Sequence, residues 1–503
     1  MKRNKWRGRS QFGWHDRRRH HSQRYRGHHS GTSREWNQRS DAGASVNELS
    51  EQNNSGAEST SSVSVSTDVP ELPGFYYDRE KDRYFRILPG HNNCNPLTWE
   101  TIKQRKMEEK RLKMLEEDAK TTRVARIGMD FTTLLQKRHF GLMNSASYFR
   151  LAQELKVSRM RRNKLEIHSS ESSSASSFKM ILADTNNEQI FAVKNDETGY
   201  KYGILKLDGR RKESRLISVD MCDNLYFTQR KGTSVCWASL SGRDSHVLLC
   251  LSGHADTPGC ISLLPASIFS NSNSEDHPSM LCHFKSSTAW TCAWCFNPQA
   301  DKCFSTGLMY CVFVTDAVTG QKQTFSTSSN VLTQQFARRV PVLYNGCRSG
   351  EIFSIDIRQQ TPKGQSWKGT TIFHNSAVTS IQLLQDENYL MAADMIGEIK
   401  LWDLRTARCI KQYEGHHNEH AYLPIHVNEE EGILLVVGQD CYTRIWSLRD
   451  GCLLRTIPSP YPACNDSIPS IAFSSQLGGR GGVPGLLMAV RQDLYHFSYS
   501  SNH

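Results

Sequence analysis

The sequence predicts a mainly β protein: a seven-bladed β-propeller with a disordered basic N-terminal tail and a short hairpin and helical N-terminal extension. Three observations predict it. From Phe178 onward, short segments alternate apolar and polar residues between turn signals. One strand position recurs at Thr315, Ile355, Trp402 and Trp446, at spacings of 40, 47 and 44 residues, the length of a four-stranded blade. The whole chain of 503 residues is only 38% apolar with a mean hydropathy of −0.56, so polar tails must dilute an ordinary core.

Taken in order, residues 1–70 read as a tail. Its first 40 residues hold twelve Lys or Arg against Asp16 and Glu35, which accounts for nearly all of the net charge of +11. Trp6, Trp14, Tyr25 and Trp36 are interleaved with the basic residues. Such a mixture suits RNA phosphates and base stacking, a nuclear-import signal around Arg17–Arg19, or a solvated tail with no dedicated partner. The following Ser-rich stretch is too polar to order itself. Residues 71–97 read as an aromatic hairpin, FYYD and RYFR around a polar turn, followed by a turn-rich loop.

Residues 98–168 read as a helical extension. Thr98 is placed to cap a helix ending near Ala119. Its apolar residues are too few for a wide buried face, so it is expected to be exposed and charged. A second helix carries Phe131, Leu134 and Leu135, and Gly141 interrupts. Ser147 then caps a third, with Tyr148, Leu151, Ala152 and Leu155 on one stripe. This helix–loop–helix either docks on the propeller or offers a handle to a partner. Residues 169–177 form a Ser-rich linker, and 178–500 the propeller.

Within the propeller, the segment GEIKLWDLR (397–405) ends in Trp-Asp, the mark of the third strand of a WD-repeat blade. His374 and His416 stand where a repeat opens. Asp440 stands where a buried Asp joins the repeat's hydrogen bonds, whereas Ile396 and Ser349 occupy that place in the two earlier blades, which should then lean on apolar packing. Trp402 and Trp446 are expected to be structural. The strands count to seven blades, with six and eight as neighbouring counts. Only three strands remain at the C-terminus, so the last blade is expected to borrow its outer strand from the N-terminal side and abolish the sheet edges.

No catalytic motif is present: there is no G-x-S-x-G, P-loop or H-E-x-x-H, and the carboxylates lack a paired acid–base logic. The odd count of fifteen Cys and the lack of an apolar leader in MKRNKWRGRS point to reduced thiols in a nuclear or cytoplasmic, non-secreted protein. No run approaches 18 apolar residues, so no membrane span is expected. Cys292 and Cys295 form a lone CxxC in a strand-like run, better read as buried structure than as a metal site. His416, His417 and His420 are likewise read as loop and repeat structure. No metal and no cofactor is expected.

The sharpest signal is Trp402-Asp403-Leu404-Arg405, a WDxR box, with Asp356-Ile357-Arg358 one blade earlier. Arg405 and Arg358 should fall on neighbouring points of one rim, each offering a fork of hydrogen bonds to a partner's carboxylates or carbonyls. The bland alternative is that this is a common blade ending. Trp446-Ser447-Leu448-Arg449 keeps the Trp and Arg without the Asp.

The stretches LPGFYYD (72–78), RYFRILPGHNNCNPLT (83–98), NGCRSGEIF (345–353), KLWDLRTARC (400–409) and VGQDCYTRIWSL (437–448) resemble the cullin-4 associated factor 4 family of WD-repeat proteins. The resemblance implies a non-enzymatic substrate receptor. Through Asp356, Arg358, Asp403 and Arg405 it would dock on the adaptor called damage-specific DNA-binding protein 1. The adaptor would link it to cullin-4 and the RING subunit, and the receptor would present an unidentified protein substrate for ubiquitination. The helices near 130–160 resemble the adaptor-docking helices of such receptors in position. The alternative is a nuclear RNA-associated WD-repeat scaffold using residues 1–40.

Overall fold

The structure is a computed structural model. It describes residues 75–78, 81–86, 99–120, 130–168 and 176–499, except the segments 185–188, 197–198, 209–217, 222–225, 242–243, 254–258, 270–281, 287–288, 360–366, 465–466 and 478–482. The basic and Ser-rich tail, the loop around His91 and most of the 169–177 linker lie outside the described residues.

Seven antiparallel sheets follow one another along the chain, one per blade, as the strand count predicts. Each successive strand reverses direction, so first-to-second and third-to-fourth turns share one end of every blade. The second-to-third turns and the links between blades share the other end. Blade 4 shows the pattern: Val331–Phe336, Val342–Cys347, Glu351–Asp356 and Lys368–Phe373, paired in that order. Blade 5 repeats it from Val378–Leu383 to Arg408–Tyr413, and blade 6 from Ile425–Asn428 to Leu453–Pro458.

The recurring third-strand position is the same in register. Thr315 pairs with Phe304, Ile355 with Leu343, Trp402 with Leu390 and Trp446 with Leu434. Each of the eight is buried, and the seven apolar ones pack into the layers between neighbouring blades. Five residues before each lies a left-handed turn residue: Tyr310 (φ 58°), Gly350 (86°), Gly397 (91°) and Cys441 (62°). At Gly350 a Cβ would sit 2.4 Å from the His374 carbonyl oxygen, so both the angle and the space require glycine there.

The buried aspartate is not where the sequence reading placed it. In blade 5 it is Asp394, two residues before Ile396, wholly buried and 3.3 Å from Nδ1 of His374. Its Oδ1 also accepts the amides of Ile396 (3.1 Å) and Glu398 (2.8 Å). The edge of the His374 ring meets Trp402 at 5.7 Å between centroids. Counted back from the Trp, the equivalent place in blade 6 is Gly438. Asp440 sits further into the turn, bridged to Arg444. His416 has no hydrogen-bonded aspartate, and burial together with the nearby Arg444 guanidinium pushes its imidazole down to about 4. Blade 5 is therefore locked by hydrogen bonds after all.

Burial alone would raise the Asp394 carboxyl, but the bonds from His374 and the turn amides hold it below the usual range. Its stabilising contribution is then present above the ordinary carboxylate pKa and is lost as pH falls through the lowered, folded value. Asp394→Ala orphans His374 and two turn amides, and should cost about 2–4 kcal/mol. Asp440→Ala frees an arginine side chain that is 13% exposed and still reaches solvent, and should cost less, about 1–2 kcal/mol. Thermal melts of the two variants compare them directly, and equal losses would refute the lock.

The last blade comprises Ser470–Leu477, Val483–Val490 and Asp493–Tyr499, and its outer strand is Met160–Leu165. This is the expected closure, running from Met160 opposite Tyr499 to Leu165 opposite Leu494. Residues 160–165, read from sequence as part of the helical extension, are thus a strand of the propeller. The next residues, Ile167–His168, pair in parallel with Ser218–Met221 at the outer side of blade 1.

Three helices precede the closing strand: α1 (Trp99–Ala119), α2 (Phe131–His139) and α3 (Ser145–Ser158). Asp130 caps α2, and Asn144 rather than Ser147 caps α3 by accepting the Ser147 amide. The exposed, charged α1 expected from sequence holds along most of the helix, with two buried anchors that sequence did not reveal. Ile102 and Arg111 are buried, and Arg111 donates to the Ser459 carbonyl at 2.8 Å. Near its end, Asp118 pairs at 3.3 Å with Arg455 of the outer strand of blade 6, and both side chains are 5% exposed. Arg455 also donates to the carbonyls of Val157 (2.7 Å) and Met160 (2.9 Å), satisfying the C-terminal end of α3. Separately, Phe75–Asp78 and Arg83–Arg86 form the predicted two-stranded hairpin.

Candidate functional site

The third strands of blades 3, 4 and 5 each end on an aspartate: Asp316, Asp356 and Asp403. The cause is local. Each Oδ1 accepts the amide two residues on, from Val318 (2.8 Å), Arg358 (3.1 Å) and Arg405 (2.9 Å), pinning the chain as it reverses.

Where that second residue is arginine, its guanidinium swings back onto the same carboxylate. Arg358 donates to Asp356 from Nε at 3.0 Å and from Nη2 at 2.8 Å. Arg405 donates to Asp403 from Nε at 3.3 Å and from Nη2 at 3.2 Å. These bonds hold both carboxyls below the usual carboxylate range. The arginine side chains themselves are 58% and 63% exposed.

The four residues singled out from sequence therefore stand at equivalent points of neighbouring blades, on the same end of each. One expectation changes. The fork of each arginine is closed on its own aspartate, not held open for a partner. What each presents outward is Nη1 and the flat guanidinium, in an orientation fixed before any encounter. A partner then orders no long side chain on docking.

Blade 6 shows the effect of losing the aspartate. Ser447 ends its third strand, and Arg449 lies instead over the Phe149 ring of α3, 5.4 Å from its centroid. Further contacts hold α3 at this end of the blade. Gln153 donates to the carbonyls of Glu431 (3.1 Å) and Gly432 (3.2 Å), and Lys156 bridges Glu431. Leu134, Leu155 and Val157 are buried, so one face of the helix pair is packed. The connection between the helices and the adjoining face are not: Phe140 and Leu142 of the connection are 72% and 75% exposed, with Leu135 of α2 and Phe149 of α3 also exposed. Arg358, Arg405 and the open apolar face of α2–α3 thus share one side of blades 4 to 6. Sequence spacing could suggest the helix pair as a handle, but not that it stands beside the two arginines.

The same side opens into a cavity of about 690 Å3, with Arg338, Arg339, Glu387, Glu429 and Gln476 in its wall. Its acids knit turns together. Glu387 accepts the amides of Arg338 (2.6 Å) and Arg339 (2.8 Å), and Glu429 that of Gln385 (2.7 Å).

Among the described residues, His374, Asp394 and Glu398 bring metal-ligand atoms within 4.8 Å of one another. Lys400 (2.6 Å) and Asn375 (2.8 Å) already engage Glu398, so the group reads as blade structure. The CxxC splits as strand alternation requires: Cys292 packs between blades 2 and 3, and Cys295 between blades 3 and 4. The thiol of Cys292 is raised well above its usual range by its thiol neighbour Cys236 and by burial; burial raises that of Cys295. Neither is poised as a thiolate ligand. No helix among the described residues is long and apolar enough to cross a membrane.

Comparison with known proteins agrees with the propeller fold. Residues 148–499 match the family model described as the DDB1- and CUL4-associated factor 4 beta-propeller domain. DDB1- and CUL4-associated factor 4 of Bos taurus is 58% identical over 486 residues, covering 95% of this chain and 98% of that protein. The Homo sapiens protein of the same name is 58% identical over 447 residues, 88% of this chain and 90% of its own length. The human DDB1- and CUL4-associated factor 4-like protein 2 is 54% identical over 397 residues, 78% of this chain and all of that protein.

Proposed function

The chain belongs to the DDB1- and CUL4-associated factor 4 family, and from that premise we propose that it is the substrate receptor of a ubiquitin ligase, docking on the DDB1 adaptor through the side of blades 4 to 6 that carries Arg358, Arg405 and α2–α3. One observation carries the reading: two self-braced arginines and an unpartnered apolar helix face lie on the same side. Exposed apolar patches of this kind mark protein interfaces, and arginine and aromatic side chains supply most of the affinity in them. The receptor carries no reaction of its own; ubiquitin is transferred by other subunits, and this chain fixes the position of the substrate.

The helix pair supplies the first test. Phe140→Asp with Leu142→Asp changes two side chains that the fold leaves in solvent, so the melting temperature should hold. Co-purification with the adaptor should fall at least about tenfold. Full recovery of the adaptor with this folded variant would remove the helix pair from the interface.

A further inference from the structure

The opposite side of the propeller carries a second surface. It is built from second-to-third turns and blade-to-blade links, and hydrogen bonds join these into one piece. The Thr327 amide donates to the Tyr310 carbonyl, Arg348 to Asn330, Met395 to Ala377, and Gln439 to His417, each at 2.8–2.9 Å. The long link 414–424 is braced from within. Asn418 bonds Ala421 twice at 2.9 Å and the Asp394 carbonyl at 3.3 Å, and Gln439 holds the amides of Glu419 and His420.

On this braced frame stand Met309, Tyr310, Phe373, Ile396 and Tyr422, all exposed. Tyr310 is the telling one. It occupies the left-handed turn position that blades 4 and 5 fill with Gly350 and Gly397. A bulky side chain there holds its backbone in a costly conformation while leaving 58% of itself in solvent, so packing within the fold offsets only part of that cost.

Charge points the same way. Among the described residues the acids bordering this side are engaged: Glu351 by Lys368, Glu398 by Lys400, Asp440 by Arg444, and Glu419 with His417 at 3.8 Å. Glu414, at the outer end of the long link, is the exception. Arg348 is exposed and has no side-chain partner among the described residues, and its guanidinium is close enough to bear on the ionisation of Tyr422.

We propose that this side, centred on Arg348 and flanked by Tyr310, Ile396 and Tyr422, is the substrate-binding surface, and that it takes a peptide segment in which a carboxylate is flanked by apolar side chains. The unpaired cation selects the carboxylate, and the rigid aromatic and aliphatic groups take the apolar neighbours. The proposal rests on the receptor reading, because it assigns the side left open when the adaptor covers the other.

The test is selection of a phage-displayed random 12-residue peptide library on the full-length chain. Enriched peptides are then synthesised, with Asp or Glu replaced by Lys in a second set, and titrated by fluorescence anisotropy. Enrichment of acidic–apolar sequences is expected. Arg348→Glu and Tyr422→Ala should each weaken them by about tenfold or more, and the Lys set should fail to bind the wild type. Absence of enrichment, equal binding of the Lys set, or peptides that bind Arg348→Glu undiminished would overturn it. Adaptor co-purification separates the two claims: Arg348→Glu should keep the adaptor, and a chain lacking Arg358 and Arg405 should keep the peptides.

Discussion

A chain carrying both Arg358→Ala and Arg405→Ala is expected to fold as the wild type does and to lose the DDB1 adaptor by on the order of a hundredfold in affinity. Folding should survive because, among the described residues, each guanidinium hydrogen-bonds only the aspartate two residues before it, and the side chains are 58% and 63% exposed. The Asx turns persist, since Oδ1 of Asp356 and Asp403 still accepts the backbone amide. Binding should fail because the arginines stand on adjacent blades, so their loss removes two separate anchor points. Lysine is the informative control. Arg405→Lys keeps the charge but cannot close two bonds on Asp403. If it binds like Ala, geometry carries the contact; if it binds like the wild type, charge alone suffices. Asp403→Asn keeps the turn acceptor but releases the guanidinium, and should weaken binding severalfold through lost pre-organisation. A folded double mutant that retains the adaptor at wild-type affinity would end the proposal for this side.

These residues were legible because D-x-R is a local signal: both partners lie within three positions, and the third-strand register is fixed by a repeat of 40 to 47 residues. The ring closure was legible for a similar reason, since three leftover strands demand a fourth. What sequence did not reveal depends on distant partners. Asp118 and Arg455 are 337 positions apart and leave no periodic trace, so α1 read as a solvated helix. Asp394 is masked by its offset: it lies three residues before the left-handed turn residue Gly397, whereas Asp440 lies directly before its counterpart Cys441. Tyr310 gave no warning at all: nothing in its neighbours announces a left-handed backbone. The direction of the arginine forks was likewise invisible, because spacing places a guanidinium near a rim without saying which carboxylate it will meet.

The closure also ties α2 and α3 to the ring. Only Arg159 separates the end of α3 from the strand Met160–Leu165, and Arg455 of blade 6 grips the carbonyls on both sides of it. The helix pair therefore cannot turn relative to Arg405 without disturbing the seventh blade. Any change that opens the ring should cost the adaptor as well as stability.

Deleting residues 494–503 makes that coupling measurable. It removes nearly all of the third strand of blade 7, and with it Leu494 and Phe497, both wholly buried, and Tyr495. Met160–Leu165 loses every partner in its ladder, and Val483–Val490 becomes an open edge. Each large buried side chain contributes about 1.5–3 kcal/mol, and a typical domain has only about 5–15 kcal/mol of net stability, so the shortened chain should be insoluble or unfolded. Phe497→Ala gives a graded version that keeps the backbone ladder, with an expected loss of about 3–5 kcal/mol. Ending the chain at Tyr499 leaves every strand intact and should be silent. Starting the chain at residue 167 removes the outer strand instead, together with the helices, and leaves Asp493–Tyr499 as the open edge, so it should destabilise the same sheet. A soluble chain ending at Asp493 with an unchanged melting temperature would show that the ring does not depend on this closure.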